Sequence, residues 1–256
     1  MVRVDQMSRG IALQTYLSRM DDVRRQIEEH GSGQSFRDLT ARFLGRIQSR
    51  LTRPTRIALV GEANTGKTSL ANLLLGRELL ITDIINNTRA PILIRYADRA
   101  QLCTIAADGG RRPVSHDNLG AIQRGTFMSL ELGLPLAALK RFEIIDTPGV
   151  SVLGEDFDRM AFVCRQADMA IWCTLATQAW RASERELWGR VCERTRSSSL
   201  LAATHADSLT STEQARVVER LQREAGPLFC GIGMLSPIEN RSIWPAPETC
   251  PIDDDL

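Results

Sequence analysis

Residues 61–68, Gly-Glu-Ala-Asn-Thr-Gly-Lys-Thr, fit the pattern G-x-x-x-x-G-K-[ST] at every fixed position. The flanking sequence limits the folds that can hold such a loop. Arg56-Ile57-Ala58-Leu59-Val60 precedes it as a short apolar run that reads as a buried strand. Ser69-Leu70-Ala71-Asn72-Leu73-Leu74-Leu75-Gly76 follows as a helix that stops at glycine. Strand, loop and helix N-terminus together aim backbone N–H groups at one point, where an anion can replace water. Lys67 would reach terminal phosphates and the Thr68 hydroxyl would meet Mg²⁺. One lysine–phosphate contact at 4 Å is worth roughly 4 kcal/mol at an effective dielectric near 20, before desolvation. The competing reading is a chance glycine turn, which the correct flanks on both sides disfavour. The loop implies a nucleoside triphosphate site.

The rest of the chain agrees with an α/β architecture. Candidate strands are Arg56–Val60, Ile92–Tyr96, Leu102–Ala106, Phe142–Ile145, Met169–Thr174, Leu200–Thr204 and Ile232–Leu235. Candidate helices are Lys67–Leu75, one within 116–131, Asp156–Gln166, Ser183–Arg196 and Thr212–Ala225. This alternation predicts a mostly parallel sheet with helices on both faces and a ligand at the carboxyl ends of the strands. The first 53 residues differ. Leu13, Leu17, Met20, Val23 and Ile27, then Phe36, Leu39, Phe43, Leu44, Ile47 and Leu51, recur at helical spacing around Gly31-Ser32-Gly33. They read as two amphipathic helices, which either pack on the following domain or face a partner or membrane. The expected organisation is helices over 1–53, a nucleotide domain over 54–238, and a partly disordered tail over 239–256.

Further motifs fall at the expected edge. Phe142-Glu143-Ile144-Ile145 runs into Asp146-Thr147-Pro148-Gly149, placing a carboxylate opposite Thr68 for Mg²⁺ and a glycine N–H for a γ-phosphate. Between the two motifs, Asn86-Asn87-Thr88-Arg89 offers Thr88, in preference to Thr82, to close over the metal. Thr204-His205-Ala206-Asp207 ends the fifth core strand. A carboxylate there can accept from guanine N1–H and its 2-amino group, and a buried Asp207 would be left unpaired by adenine. Ser236 follows near the expected position of guanine O6. Thr177–Arg181 also lies on this edge, either as a plain surface loop or with Gln178 or Arg181 reaching across a dimer.

In this order the motifs resemble the GTPases of the dynamin superfamily, particularly the bacterial dynamin-like proteins, with the Era-like GTPases as the nearest alternative. The resemblance covers roughly residues 56–236. It rests on Gly61–Gly76, on Thr88-Arg89-Ala90-Pro91 through Arg95-Tyr96, on Leu134-Pro135 with Leu139, and on Ser183-Glu184-Arg185-Glu186-Leu187. It implies a Ras-like P-loop GTPase fold, GTP and GDP as ligands, Mg²⁺, hydrolysis, and activation by transient dimerisation across the nucleotide face. The nucleotide contacts it implies are Gly61, Glu62, Ala63, Asn64, Thr65, Gly66, Lys67, Thr68, Ser69, Thr204, His205, Asp207 and Ser236. The metal contacts are Thr68, Thr88 and Asp146, and Lys67, Thr88, Asn64 and Gly149 would act in hydrolysis.

Three departures shape the expectation. His205 stands where the family has lysine, Ala63 stands at the family's loop glutamine, and Val150 follows Gly149 where Ras has a water-orienting glutamine. Asn64 matches the asparagine with which Era-like and potassium-activated GTPases hold a monovalent cation; it either binds K⁺ or hydrogen-bonds within its own loop. The chain reaches only twenty residues beyond Ser236, so membrane remodelling by this chain alone is not expected, and a stalk-bearing partner is a candidate. The leading expectation is a slow GTPase. The alternative is a nucleotide-gated interaction module with little hydrolysis. A phosphate-loop kinase or ATPase is disfavoured by Asp207 and D-T-P-G.

Composition adds exclusions. Thirty-two basic side chains balance 31 acidic ones, so nothing calls for a nucleic-acid partner. The six cysteines show no C-x-x-C pair, and His30, His116 and His205 are too scattered for a metal site. With no run near the length of a membrane span and no signal-like N-terminus, a cytoplasmic protein with at most peripheral membrane contact is expected.

Overall fold

Val60, Leu59 and Ala58 are completely buried, and that burial decides where the first strand sits. Thr55–Val60 (β1) pairs in parallel with Phe142–Asp146 (β6) on one side and Met169–Leu175 (β7) on the other. A strand covered on both faces reads as a continuous apolar run, as Ile-Ala-Leu-Val does here. The structure is a computed structural model, and it describes residues 2–30, 34–76, 90–114, 127–150, 156–236 and 241–243.

The other strands are Ile92–Tyr96 (β2), Gln101–Ile105 (β3), Arg111–Pro113 (β4), Ser129–Leu134 (β5), Leu200–Thr204 (β8), Gly231–Ser236 (β9) and Arg241–Ile243 (β10). They form one sheet in the order β10-β9-β8-β7-β1-β6-β2-β5-β3-β4. The block from β9 to β6 is wholly parallel. Antiparallel joins occur only outside it: β2 to β6, β3 to β5, β3 to β4, and β10 to β9. The carboxyl ends of β1, β6, β7, β8 and β9 therefore share one edge, and the order turns back at β1, where a parallel sheet opens a crevice.

Helices cover both faces. Lys67–Leu75 (α3) buries Leu70, Ala71 and Leu75 against Leu59, Ile92, Ile144 and Ile171. On the opposite face lie Asp156–Gln166 (α4), Ala182–Gly189 (α5) and Ser211–Glu224 (α7), with the single turn Glu193–Arg196 (α6) between the last two. Met160, Val163, Leu187 and Leu221 there meet Ala58, Trp172, Leu201 and Met234. Trp188 stacks on Phe229 at 4.6 Å, and Trp172 meets Trp188 edge-on at 5.6 Å. Each such pair adds about 0.5–1.5 kcal/mol beyond the area it buries.

The chain divides into two compact units, residues 1–53 and 54–256. In the first, Val2–His30 (α1) and Gln34–Thr52 (α2) pack against each other. Leu39, Phe43 and Leu51 of α2 and Tyr16 and Val23 of α1 stay exposed.

The α/β sheet with helices on both faces and a preceding helical segment is as expected, with three corrections. Ser129–Leu134 is a strand, not the end of a helix within 116–131; residues 115–126 of that span lie outside the described residues. The helix expected over Ser183–Arg196 breaks after Gly189 and resumes at Glu193. Arg241–Ile243 pairs with Met234–Ser236, so the sheet extends into the segment expected to be a tail.

Candidate functional site

The loop after β1 is shaped by one close approach and by left-handed backbone at two further positions. A Cβ on Gly61 would lie 2.3 Å from the Cys173 carbonyl oxygen of β7, and Gly61 holds φ at +146°, so no side chain fits. Gly66 then enters α3 in the left-handed region without a side-chain cap, leaving the first-turn N–H groups open toward the loop. Asn64 also sits in the left-handed region at φ +59°, which asparagine tolerates better than most residues. Its side chain is exposed and makes no hydrogen bond to another described residue. Ala63 is exposed beside it.

Lys67 is buried at the centre of this cradle. Its Nζ donates to the carbonyl oxygens of Gly61 at 3.2 Å and Glu62 at 2.5 Å, and to Thr65 Oγ1 at 3.4 Å. Burial lowers its pKa, while the nearby Cys173, Asp146 and Glu62 oppose that shift. A buried ammonium held by neutral oxygens is ready for an anion, because no carboxylate among the described residues lies within ion-pair distance of it.

Thr68 and Asp146 meet directly, with Thr68 Oγ1 donating to Asp146 Oδ2 at 2.9 Å. Asp146 is 3% exposed, and its other oxygen, Oδ1, is buried with no hydrogen-bond partner among the described residues. Burial pushes its carboxyl up to about 6, against the pull of Thr68, Lys67 and the Thr147 N–H. An orphaned carboxylate oxygen beside a hydroxyl, both facing a phosphate cradle, fits a hard divalent cation such as Mg²⁺. Thr147 Oγ1 donates to the Leu59 carbonyl at 2.7 Å and fixes the start of the turn. Gly149 then lies on the loop itself: a Cβ there would be 2.4 Å from Ala63 Cα. Val150 N donates to Gly61 O at 3.1 Å, and Val150 bridges Glu62 in parallel. Thr88 lies outside the described residues.

The far end of the crevice is built on β8 and β9. Thr204 is buried, and its Oγ1 lies 2.9 Å from Thr65 O and 3.1 Å from Thr174 O, tying this turn to the phosphate loop. His205 takes φ +56°. Its Nδ1 is 3.1 Å from Thr204 Oγ1, and its ring lies over Gly66, where an added Cβ would be 3.2 Å from Cε1. Ser236 Oγ donates to Asp207 Oδ1 at 3.1 Å. Asp207 itself is exposed, not buried as the base-selection reading expects.

The sheet thus gathers Gly61–Ser69, Asp146, Gly149, Thr204, His205, Asp207 and Ser236 on one edge. Against this geometry the comparisons with known proteins decide the lineage. The sequence profile of the Dynamin family matches residues 57–203. The chain belongs to the dynamin family. Dynamin-like protein 2 of Campylobacter jejuni is 28% identical over 173 residues, covering 66% of this chain and 28% of that protein. The isoniazid-induced protein IniC of Mycobacterium tuberculosis is 35% identical over 121 residues, covering 44% of this chain and 24% of its own. Among solved structures, an oligomerised bacterial dynamin pair, described as a mechanism for long-range sensing and tethering of membranes, aligns with a TM-score of 0.61. It is 19% identical and covers 87% of this chain and 38% of that one. That match shows the Ras-like P-loop GTPase fold. The chain spans less than two fifths of the length of each of these proteins.

Sequence reasoning missed a polar network behind the loop. Glu184 is completely buried on α5. Its carboxylate accepts from Trp172 Nε1 at 3.2 Å, Thr174 Oγ1 at 2.9 Å and the Arg181 N–H at 2.8 Å. Burial holds its pKa above the ordinary glutamate value, with the three donors acting against that. The network continues forward. Arg181 reaches back to the Glu62 carboxylate, which also accepts from Ser183 Oγ at 2.8 Å. Arg181, a candidate to cross a dimer, is engaged within its own chain here. The S-E pair opening α5 was visible in sequence, but its partners on β7 and in the phosphate loop were not.

Proposed function

We propose that this chain binds GTP at the edge described above and hydrolyses it to GDP and phosphate. The observation that carries the reading is the convergence, along one sheet edge, of a buried Lys67, the Thr68–Asp146 pair with its orphaned oxygen, and the Asp207–Ser236 pair. The first two suit a polyphosphate with its metal, and the third suits a base that offers N–H donors.

In this reading Lys67 leaves its loop carbonyls and pairs with the terminal phosphates. Thr68, Asp146 and Thr88 would hold Mg²⁺, which supplies charge neutralisation on the phosphate oxygens. The Gly149 N–H binds the γ-phosphate, so the D-T-P-G turn must lift from Ala63, and its return after hydrolysis is the nucleotide-dependent movement. Thr65 and Ser69 contribute backbone donors, and His205 covers the Gly66 side of the base. Asn64, exposed at the rim of the loop, would carry K⁺ beside the phosphates. Neither Ala63 nor Val150 can orient a water, so turnover by the monomer is slow and dimerisation across this edge speeds it. A stalk-bearing partner and peripheral membrane contact in the cytoplasm complete the proposal. Among the described residues no helix is long and apolar enough to cross a membrane.

A second reading is a nucleotide-gated interaction module with little hydrolysis. It is favoured by the missing water-orienting side chain and by the exposed Leu39 and Phe43 of α2, which offer a partner surface. Single-turnover conversion of GTP, measured in K⁺ and in Na⁺ over a range of protein concentration, separates the two. Hydrolysis that accelerates with K⁺ and with concentration supports the GTPase. GTP that stays intact for hours under every condition supports the module.

A further inference from the structure

The second residue of the phosphate loop, Glu62, is an acid placed where a polyphosphate must dock. Its backbone carbonyl receives Lys67, and its carboxylate turns the other way, toward the loop that follows β7. Arg181 and Ser183 meet it there, leaving the Glu62 side chain 19% exposed. We propose that Arg181, with Ser183, is a positioning residue that neutralises Glu62 and holds its carboxylate off the phosphates, making an otherwise repelling loop receptive to polyphosphate. This rests on the GTP-binding reading above.

Three further observations fit this role. First, Arg181 stands at the N-cap of α5, where serine, threonine, aspartate or asparagine is usual. Its backbone N–H is held by Glu184 of the same helix, but a cationic side chain at a helix N-terminus opposes the helix dipole, and the guanidinium reaches Glu62 instead. Second, the loop that presents it is anchored independently. Glu184 accepts the Arg181 N–H, Thr174 Oγ1 lies 3.3 Å from the Trp180 N–H, and Arg220 donates to the Ala179 carbonyl. Trp180 is held at φ +61°, a conformation that a bulky residue keeps only when its surroundings fix it. Third, Glu184 itself lies within electrostatic reach of Glu62, so without Arg181 two acids would share one side of the phosphate loop. With a Debye length of about 8–10 Å, an uncompensated carboxylate on this loop would act on an anion that docks in the same loop.

The test is a fluorescent-nucleotide titration of the full chain with Arg181→Gln, Ser183→Ala, Glu62→Gln and the Arg181→Gln/Glu62→Gln double variant, using GTP and GDP with Mg²⁺. Arg181→Gln should weaken GTP at least ten-fold and GDP by less, because the repulsion grows with phosphate charge. Ser183→Ala should give a smaller loss of the same kind. Glu62→Gln alone should tighten GTP, and the double variant should return to within about two-fold of wild type, because the liability and its cure are removed together. Three results would overturn the proposal: a loss that Glu62→Gln does not rescue, an equal loss for GTP and GDP, or no loss in Arg181→Gln. Wild-type protein that binds no GTP would instead overturn the underlying reading.

Discussion

Replacing Asp146 with asparagine separates what this residue does for a nucleotide from what it costs the empty fold. Its carboxyl is pushed from an ordinary value of 3.8 up to about 6, mainly by burial. Each pKa unit corresponds to 1.36 kcal/mol, so the ionised form carries about 3 kcal/mol against it in the nucleotide-free protein. Between these two values the folded chain holds a proton that unfolding releases. Stability therefore falls as pH rises through that window and is level above it. Asparagine keeps an acceptor for the Thr68 hydroxyl and does not titrate. Its amide places a donor where Oδ1 finds no partner, at a pH-independent cost of about 1–3 kcal/mol. Urea unfolding of both proteins without nucleotide, from pH 4 to pH 7.5, cancels every other titrating group in the difference. The variant should gain about 2.5 kcal/mol on wild type across that range, because pH 4 already lies just above the ordinary value of 3.8. With GTP and Mg²⁺ at 100 times Kd, wild type should regain about 2.7 kcal/mol and the variant much less. A difference that is flat with pH, or that favours wild type as pH rises, would refute the burial argument.

Two further substitutions follow from the network and the base turn. Glu184→Ala leaves Trp172 Nε1, Thr174 Oγ1 and the Arg181 N–H without their acceptor, so unfolding should be easier by roughly 3–5 kcal/mol; a change under about 1 kcal/mol by denaturant melt would contradict the role given to this carboxylate. His205→Lys puts a fixed charge and a longer stem beside Gly66, and calorimetry should find GTP affinity raised about five-fold, roughly 1 kcal/mol; weaker binding would show that the imidazole is already the better fit.

What the sequence revealed follows contact range. The phosphate loop, D-T-P-G and T-x-x-D were legible because each is a local pattern attached to a buried strand, and a parallel sheet brings strand ends together. Ser129–Leu134 was not legible as a strand, although Leu130, Leu132 and Leu134 alternate with Glu131 and Gly133. Glu131 looks like a solvent-facing residue, yet it is 5% exposed and paired with Arg95 and Arg111 from other strands. The β3–β4 hairpin had its cue in Asp108-Gly109-Gly110, where Gly109 takes φ +84° and Gly110 N donates to Asp108 Oδ1 at 2.8 Å. The Glu62–Arg181 pair had no cue, because it joins residues 119 apart through a loop whose strained Trp180 no propensity would predict.

If Lys67, Thr68, Asp146 and Asp207 organise a guanine-nucleotide site, competition of unlabelled GTP and ATP against a bound fluorescent GTP analogue in Mg²⁺, for wild type and Lys67→Ala, will reveal it. Wild type should release the analogue to GTP at concentrations at least a hundred-fold below those needed with ATP, and Lys67→Ala should not bind the analogue. Equal displacement by ATP, or undiminished binding without Lys67, would contradict it.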